Sequence, residues 1–351
     1  MQQPVRFLAA LPVMALLTPA AAQLGGTAVF RVLDIPSSAR VSSLGGSPVA
    51  VYDNDLNLGL FNPALLNETM AKQVALSYLP YVDGINIGYA AYAHYLDSSQ
   101  ITLSGSVQYV NYGTFTRRDE TGMDQGNFSA GEYVVQVGAG RALDSVFSVG
   151  ANLKFITSNL EAYTATGWAL DVGGVYVKKS MGLTVGATLR NVGFVSSGYT
   201  ATKEKLPFQV QLAASYKFRH APFRLGLSID NMQQWDLTYY DPNQQVQIDP
   251  TTGEAIVKKV TTVDRALLHV VPNAEILFGP NFMLRFGYNY RRRQELAVDV
   301  KPGLSGVSFG IGMKVSRVIL SYSYAQFNPA GASNTFTLAL RFADLKRSTM
   351  D

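Results

Sequence analysis

The chain has 351 residues, a formal charge of +4, 15% charged side chains and no cysteine. A mean hydropathy of +0.08, and no uncharged apolar run near the ~20 residues a spanning helix needs, exclude a helical membrane bundle. Disulfide scaffolds and thiolate metal sites are excluded with cysteine, and no basic run suits nucleic acid.

Residues 1–22 read as a secretory signal peptide. Arg6 gives the positive start, Phe7 to Leu17 the apolar stretch, and Ala20-Ala21-Ala22 the small-residue cleavage site. Residues 23–73 carry turns, small residues and short helical pieces rather than a strand series: Asp34-Ile35-Pro36-Ser37-Ser38-Ala39-Arg40, Gly45-Gly46, Asp53-Asn54-Asp55 and Asn62-Pro63-Ala64. Val49, Val51, Leu56, Leu58, Leu60 and Phe61 need burial, which predicts a segment folded inside a larger shell as a plug. Asn62, Pro63 and Ala64 are its candidate motif. The Asp53-Asn54-Asp55 run lacks the glycine and glutamate spacing of a calcium loop and suits an Asx-capped turn.

From Val74 to Phe342 fourteen short segments alternate apolar with small or polar residues. In the last, Phe336, Leu338, Leu340 and Phe342 oppose Thr335, Thr337, Ala339 and Arg341. A strand repeats every two residues, so the two sets face opposite sides. The third segment sets Ile101, Leu103, Val107 and Tyr109 against Thr102, Ser104, Ser106 and Gln108. The eleventh, over Phe282 to Arg291, sets Phe282, Leu284 and Phe286 against Arg285. Pro272 marks an expected bulge in the tenth. The polar face is rich in Ser, Thr, Gln, Asn and Gly, which suits a crowded lumen better than the solvent face of a sandwich.

The links alternate in length. Leu143 to Val146, Lys178 to Gly182, Arg219 to Pro222, Gly279 to Asn281 and Ser316-Arg317 are tight; Val110 to Glu132, Ile156 to Gly167, Val192 to Pro207, Asp230 to Leu267, Arg292 to Gly306 and Ala325 to Asn334 are long. That sorting is expected of a closed, all-β antiparallel transmembrane barrel of about 14 strands in the cell outer membrane, with short periplasmic turns and long external loops. Residues 343–351 form a short periplasmic tail.

No nucleophile, base and orienting group stand in a recognisable pattern, so no catalytic residue, metal ligand or cofactor is expected. Of the three histidines, His94 is read on the lumen face, His220 in a turn, and His269 near Pro272. Lumenal Lys154, Arg190 and Arg285 are expected to pair with Asp171, Glu275 or the plug. Arg291, Arg292 and Arg293 lie where the eleventh strand leaves the membrane, as candidate contacts for lipopolysaccharide or a partner. In the Asp230 to Leu267 loop, Trp235, Tyr239, Tyr240, Lys258 and Lys259 are candidate partner-binding residues.

The Ser-Ser-Ala-Arg, Leu-Gly-Gly and Asn-Pro-Ala elements resemble the N-terminal region of FadL-like outer-membrane barrels, specifically the PorV/PorQ family. Asp230-Asn231-Met232-Gln233-Gln234-Trp235, Phe286-Gly287-Tyr288-Asn289-Tyr290-Arg291-Arg292-Arg293 and Gly331-Ala332-Ser333-Asn334 resemble its PorQ side. The resemblance implies a non-enzymatic component of the type IX secretion system of Bacteroidetes-type bacteria. It would act beside PorZ, PorU and PorV types as a platform for secreted cargo. The alternative is a FadL-like transporter of hydrophobic small molecules, which needs an apolar pocket in the lumen; the strand faces read too polar for one.

Overall fold

A computed structural model describes residues 28–199, 204–238, 260–296, 304–328 and 331–342. The expected signal peptide (1–22), the expected tail (343–351), and Tyr239, Tyr240, Lys258 and Lys259 lie outside the described residues. Among these, fourteen strands form one closed antiparallel barrel in sequence order, the last pairing with the first. They are β1 Gln73–Pro80, β2 Asn86–Leu96, β3 Ile101–Arg118, β4 Asp124–Ala142, β5 Phe147–Leu160, β6 Tyr163–Lys178 and β7 Leu183–Ser197. The second half comprises β8 Gln209–Lys217, β9 Phe223–Ile229, β10 Val270–Phe278, β11 Phe282–Tyr288, β12 Val307–Val315, β13 Val318–Asn328 and β14 Gly331–Arg341. Closure runs from Gln73 opposite Arg341 to Tyr78 opposite Phe336. It leaves no open edge for lipid to meet.

The two faces of each strand separate as their sequence does. Leu76, Val107, Val137, Leu153, Leu170, Leu212, Leu227, Ile311, Leu320 and Leu338 point outward and are exposed. Thr102, Ser104, Gln136, Asn152, Gln211, Ser308, Ser323 and Thr335 point inward and are buried. Aromatic pairs border the apolar belt. Phe147 with Tyr176, Tyr216 with Phe218, and Phe278 with Phe282 lie at the short-turn end. Tyr109 with Tyr133, Phe155 with Trp168, and Tyr322 with Phe336 lie toward the other. A closed barrel with an exposed apolar belt and two aromatic girdles is a membrane-spanning one, with its short turns on the periplasmic side. The chain is an outer-membrane protein.

Several segments expected as loops are strand. β3 and β4 run on past the rim: the β2 partnership ends at Asn111 and the β5 partnership at Ala130, while β3 and β4 stay paired out to Arg118 and Asp124. Beyond the bilayer no lipid demands an apolar face, so this ribbon lost the alternation that marks the wall. Phe115 stacked on Phe128 and the Arg117–Glu161 ion pair hold it instead. Conversely, the eleventh strand ends at Tyr288, and the arginines lie in helix Tyr290–Leu296. Pro272 makes no bulge: the β9–β10 register runs unbroken from Val270 to Ile276. The β11 ladder begins only at Asn273, so no bond is lost on that side. His94 is exposed on the outer face beside Tyr92, with Ala91 and Ala93 on the lumen side.

Residues 30–70 fill the bore. Two short helices, α1 Ala39–Ser43 and α2 Leu56–Gly59, and three single 3₁₀ turns carry them from the outer end to the periplasmic end. Ser38, Asp55, Asn62 and Asn67 cap four of these pieces, each accepting a backbone N–H two or three residues on. Elements this short do not persist alone; burial in the lumen holds them.

Candidate functional site

The bore has three layers. At the periplasmic end the plug is fastened by charge. Arg40 of α1 donates five hydrogen bonds: Nε and Nη2 to Glu275 of β10 (3.0 and 3.1 Å), Nη1 and Nη2 to Asp53 (3.0 and 2.6 Å), and Nη1 to Asp55 (3.3 Å). From the wall, Arg224 reaches Glu275 at 2.5 Å and Asp53 at 3.2 Å, and Arg285 reaches Glu275 at 3.2 Å. Three arginines thus face three carboxylates, and Glu275 is almost wholly buried. The Arg285–Glu275 pair was legible from strand faces. Arg40, Asp53, Asp55 and Arg224 were not, because no periodicity says where a plug residue meets the wall. Asp53 and Asp55 form the expected Asx turns, Asp55 capping α2, while their outer oxygens serve the lock. A polar hollow of about 540 Å³ lies at this mouth.

The Asn62-Pro63-Ala64 turn sits against β4, β5 and β6, a few residues in from their short turns. Asn62 accepts from the Ala64 N–H (3.1 Å) and donates to the Val49 carbonyl (2.7 Å). Its floor is a row of glycines on neighbouring strands, Gly140 opposite Gly150 and Gly150 opposite Gly173. A Cβ on Gly150 would stand 2.4 Å from the Pro63 carbonyl, and one on Gly173 would stand 2.0 Å from Asn62 Oδ1. The backbones approach this closely because side chains are missing. Glycines inside strands signal such an approach in sequence. In the middle layer, Lys154 pairs with Asp171 (2.6 Å) and donates to Asn191 Oδ1 (2.9 Å), where β7 bulges; Arg190 bonds Gln209 Oε1 and the Leu33 carbonyl, both at 3.1 Å.

The outer layer is apolar, contrary to the expectation from the strand faces. Leu79, Ile87, Val110, Val134, Ile156, Ala165 and Ala169 of the wall surround Phe30, Val32 and Leu33 of the plug, with Leu206 beside them. These wall residues sit on the lumen side toward the outer rim, where polar residues were expected throughout. Phe30 is buried with a left-handed φ of 58°, a conformation costing a bulky residue about 1–2 kcal/mol.

Of the external candidates, Trp235 is 57% exposed and stacks on His269 at 5.7 Å. The His269 ring nitrogens lie 2.7 Å from the Asp230 carbonyl and 3.1 Å from that of Trp235. The three arginines do not form an exposed cationic patch. Arg291 pairs with Glu295 (3.7 Å) within α3, Tyr290–Leu296. Arg292 turns inward, donating to the Gly45 carbonyl at 3.4 Å, with its guanidinium 4.4 Å from the centre of the Phe327 ring. The Arg293 N–H donates to the Asn289 carbonyl.

These features define a plugged outer-membrane β-barrel. The TodX monoaromatic hydrocarbon channel in a deltaS2 mutant form superposes with a TM-score of 0.52 at 13% identity, over 88% of this chain and 98% of that one. The Pseudomonas putida toluene transporter TodX gives 0.50 at 14% identity, over 88% and 97%. A FadL homologue of Pseudomonas aeruginosa gives 0.48 at 9%, over 87% and 98%. No family model and no curated protein matches the chain. The structural neighbours are FadL-family outer-membrane barrels and channels; the likeness is one of fold, and it does not single out the PorV/PorQ group.

Proposed function

We propose that this protein passes small apolar molecules across the outer membrane. The observation that carries the reading is the apolar chamber at the outer end of the bore, occupied by the chain's own Phe30, Val32 and Leu33. A ligand with the chemistry of those side chains would find the same walls once the segment withdrew. Phe30 is poised for that, since burial alone offsets its left-handed backbone. Barrels of the same fold described as a hydrocarbon channel and a toluene transporter support the reading by analogy.

The test is entry of radiolabelled toluene into cells whose lipopolysaccharide outer membrane lacks other hydrocarbon barrels. Expression of this chain should raise the rate above empty vector. The chain has no cysteine, so Ala28→Cys with Lys205→Cys, which flank a parallel bridge, tethers the segment without competing thiols. Oxidised, that variant should fall to background, and reduction should restore it. Uptake equal to empty vector in every form would refute transport.

A second reading draws on the Arg40 lock, which fits a bore that stays shut. The chain would then be a closed platform of the type IX secretion system, docking PorZ-, PorU- or PorV-type partners through the Asp230 to Leu267 loop. Its mark is lost surface cargo on deletion of the 239–259 segment, with the barrel folded and toluene uptake unchanged.

A further inference from the structure

Between the plug and the wall, in the middle layer, lies a small cavity of about 30 Å³, above the ~10–15 Å³ that one water-sized occupant requires. Its polar lining has an unusual balance. Lys154 and Arg190 both face it, as do Ser37 of the plug and Gln108 of β3, and no carboxylate lines it. All four residues are nine-tenths or more buried. Three of their polar atoms have no hydrogen-bond partner: Ser37 Oγ, Gln108 Nε2 and Arg190 Nε. Each is a donor. Buried donors left unmade cost about 1–3 kcal/mol apiece, more for charged ones.

The neighbouring carboxylates are committed elsewhere. Asp171 takes the Lys154 ammonium and the Asn191 N–H (2.8 Å). Asp230 takes Gln211 Nε2 (3.1 Å). The two Arg190 terminal nitrogens donate to neutral oxygens, and its guanidinium lies 4.5 Å from the Phe61 ring centre. Nothing negative touches that guanidinium. A water could accept two of the three donors and give its hydrogens to Tyr89, Ser106 or Gln136 of the same lining, but it would leave the second cation unanswered. A monatomic anion, little larger than water, accepts from every side and answers the second cation.

We infer that this void is a binding site for a single small anion of chloride size, held by Arg190, Gln108 and Ser37 with Lys154 nearby. Because Ser37 belongs to the plug and the others to the wall, the anion pins one to the other. The site is independent of whether the barrel transports or docks.

Crystals of the full chain grown in sodium bromide test it by anomalous scattering. One peak is expected in the void, within bonding distance of Arg190 Nε and Gln108 Nε2, with occupancy saturating as bromide is titrated. Gln108→Leu should raise the half-saturating bromide about tenfold and Arg190→Gln should abolish the peak. The plug should also be released at higher temperature in sodium chloride than in sodium gluconate of equal ionic strength, a difference absent from Ser37→Ala. Water density without anomalous signal would overturn the site. So would a peak indifferent to both wall substitutions, the mark of an adventitious ion only. If either wall variant fails to fold, Ser37→Ala decides: an unchanged chloride dependence refutes the pin.

Discussion

Replacing Arg40 by methionine keeps much of the side-chain volume and removes all five of its bonds to Asp53, Asp55 and Glu275. Asp55 then loses its arginine, while Asp53 keeps Arg224 and Glu275 keeps Arg224 and Arg285. Taking one partner from a buried ion pair costs about 3–5 kcal/mol. The loss falls on the plug, because no ladder bond of the wall involves Arg40. At 1.4 kcal/mol per tenfold, the released plug should rise by between about 10² and 4 × 10³-fold. Amide hydrogen exchange in nanodiscs reads this directly. Ser42 and Asn62, which donate to Ser38 and Leu58, should exchange faster by that factor, while β3 to β6 amides stay protected. Pairing the change with Asp55→Asn should recover part of the loss, since the orphaned charge goes too while the oxygen that caps α2 stays. Unchanged plug exchange would refute the lock. Exchange that accelerates equally in plug and wall would show that the two do not open separately.

Gly150→Leu forces a Cβ against the Pro63 backbone and should loosen the Asn62-Pro63-Ala64 turn by about 1–3 kcal/mol, seen as proteolysis within 58–66. Gly174→Leu on the adjoining strand, with open space around it, should be silent; equal effects would disprove the close approach. Val137→Arg, on a side chain 59% exposed to lipid, should cost about 2–4 kcal/mol if it lies near the midplane, measured by guanidinium unfolding from bilayers. A cost near zero would mean that Val137 does not face hydrocarbon. At the tip of the β3–β4 ribbon, hydrogen bonds from Thr121, Gln125 and Met123 hold the Asp119 carboxyl down to about 2. A lowered folded pKa stabilises the turn above the ordinary carboxylate range, and that support is lost as pH falls from about 4 through 2. Protection of the Met123 amide should decline over that window, and Asp119→Asn should flatten the profile. A decline centred near pH 6 would assign it to another group.

The wall was legible because lipid imposes a rule that sequence must obey. Phe336 and Leu338 face out and Thr335 and Thr337 face in, as period two demands, and the short turns mark one rim. Where lipid ends, so does the rule. The Thr114 to Arg118 stretch is ribbon, yet reads as loop, and Tyr290 to Leu296 closes over the plug as a helix after reading as strand and loop. The plug's apolar residues announced that they needed burial, but not their neighbours. Arg40 and Glu275 lie 235 positions apart, and only the closed ring brings them together. The outer chamber escaped notice for a different reason. Leu79, Ile87, Val110 and Ile156 lie near the outer rim, each on a different strand, where a few apolar residues on the inner face look like frayed alternation rather than one continuous lining.

Single-channel recording in planar bilayers, comparing the whole mature chain with a form lacking residues 28–72, tests most directly that this segment fills the bore. The intact protein should show almost no ionic current, and the truncated ring should show large ohmic steps. Steady porin-like conductance from the intact protein, or two forms that conduct alike, would contradict a barrel closed by its own N-terminal segment.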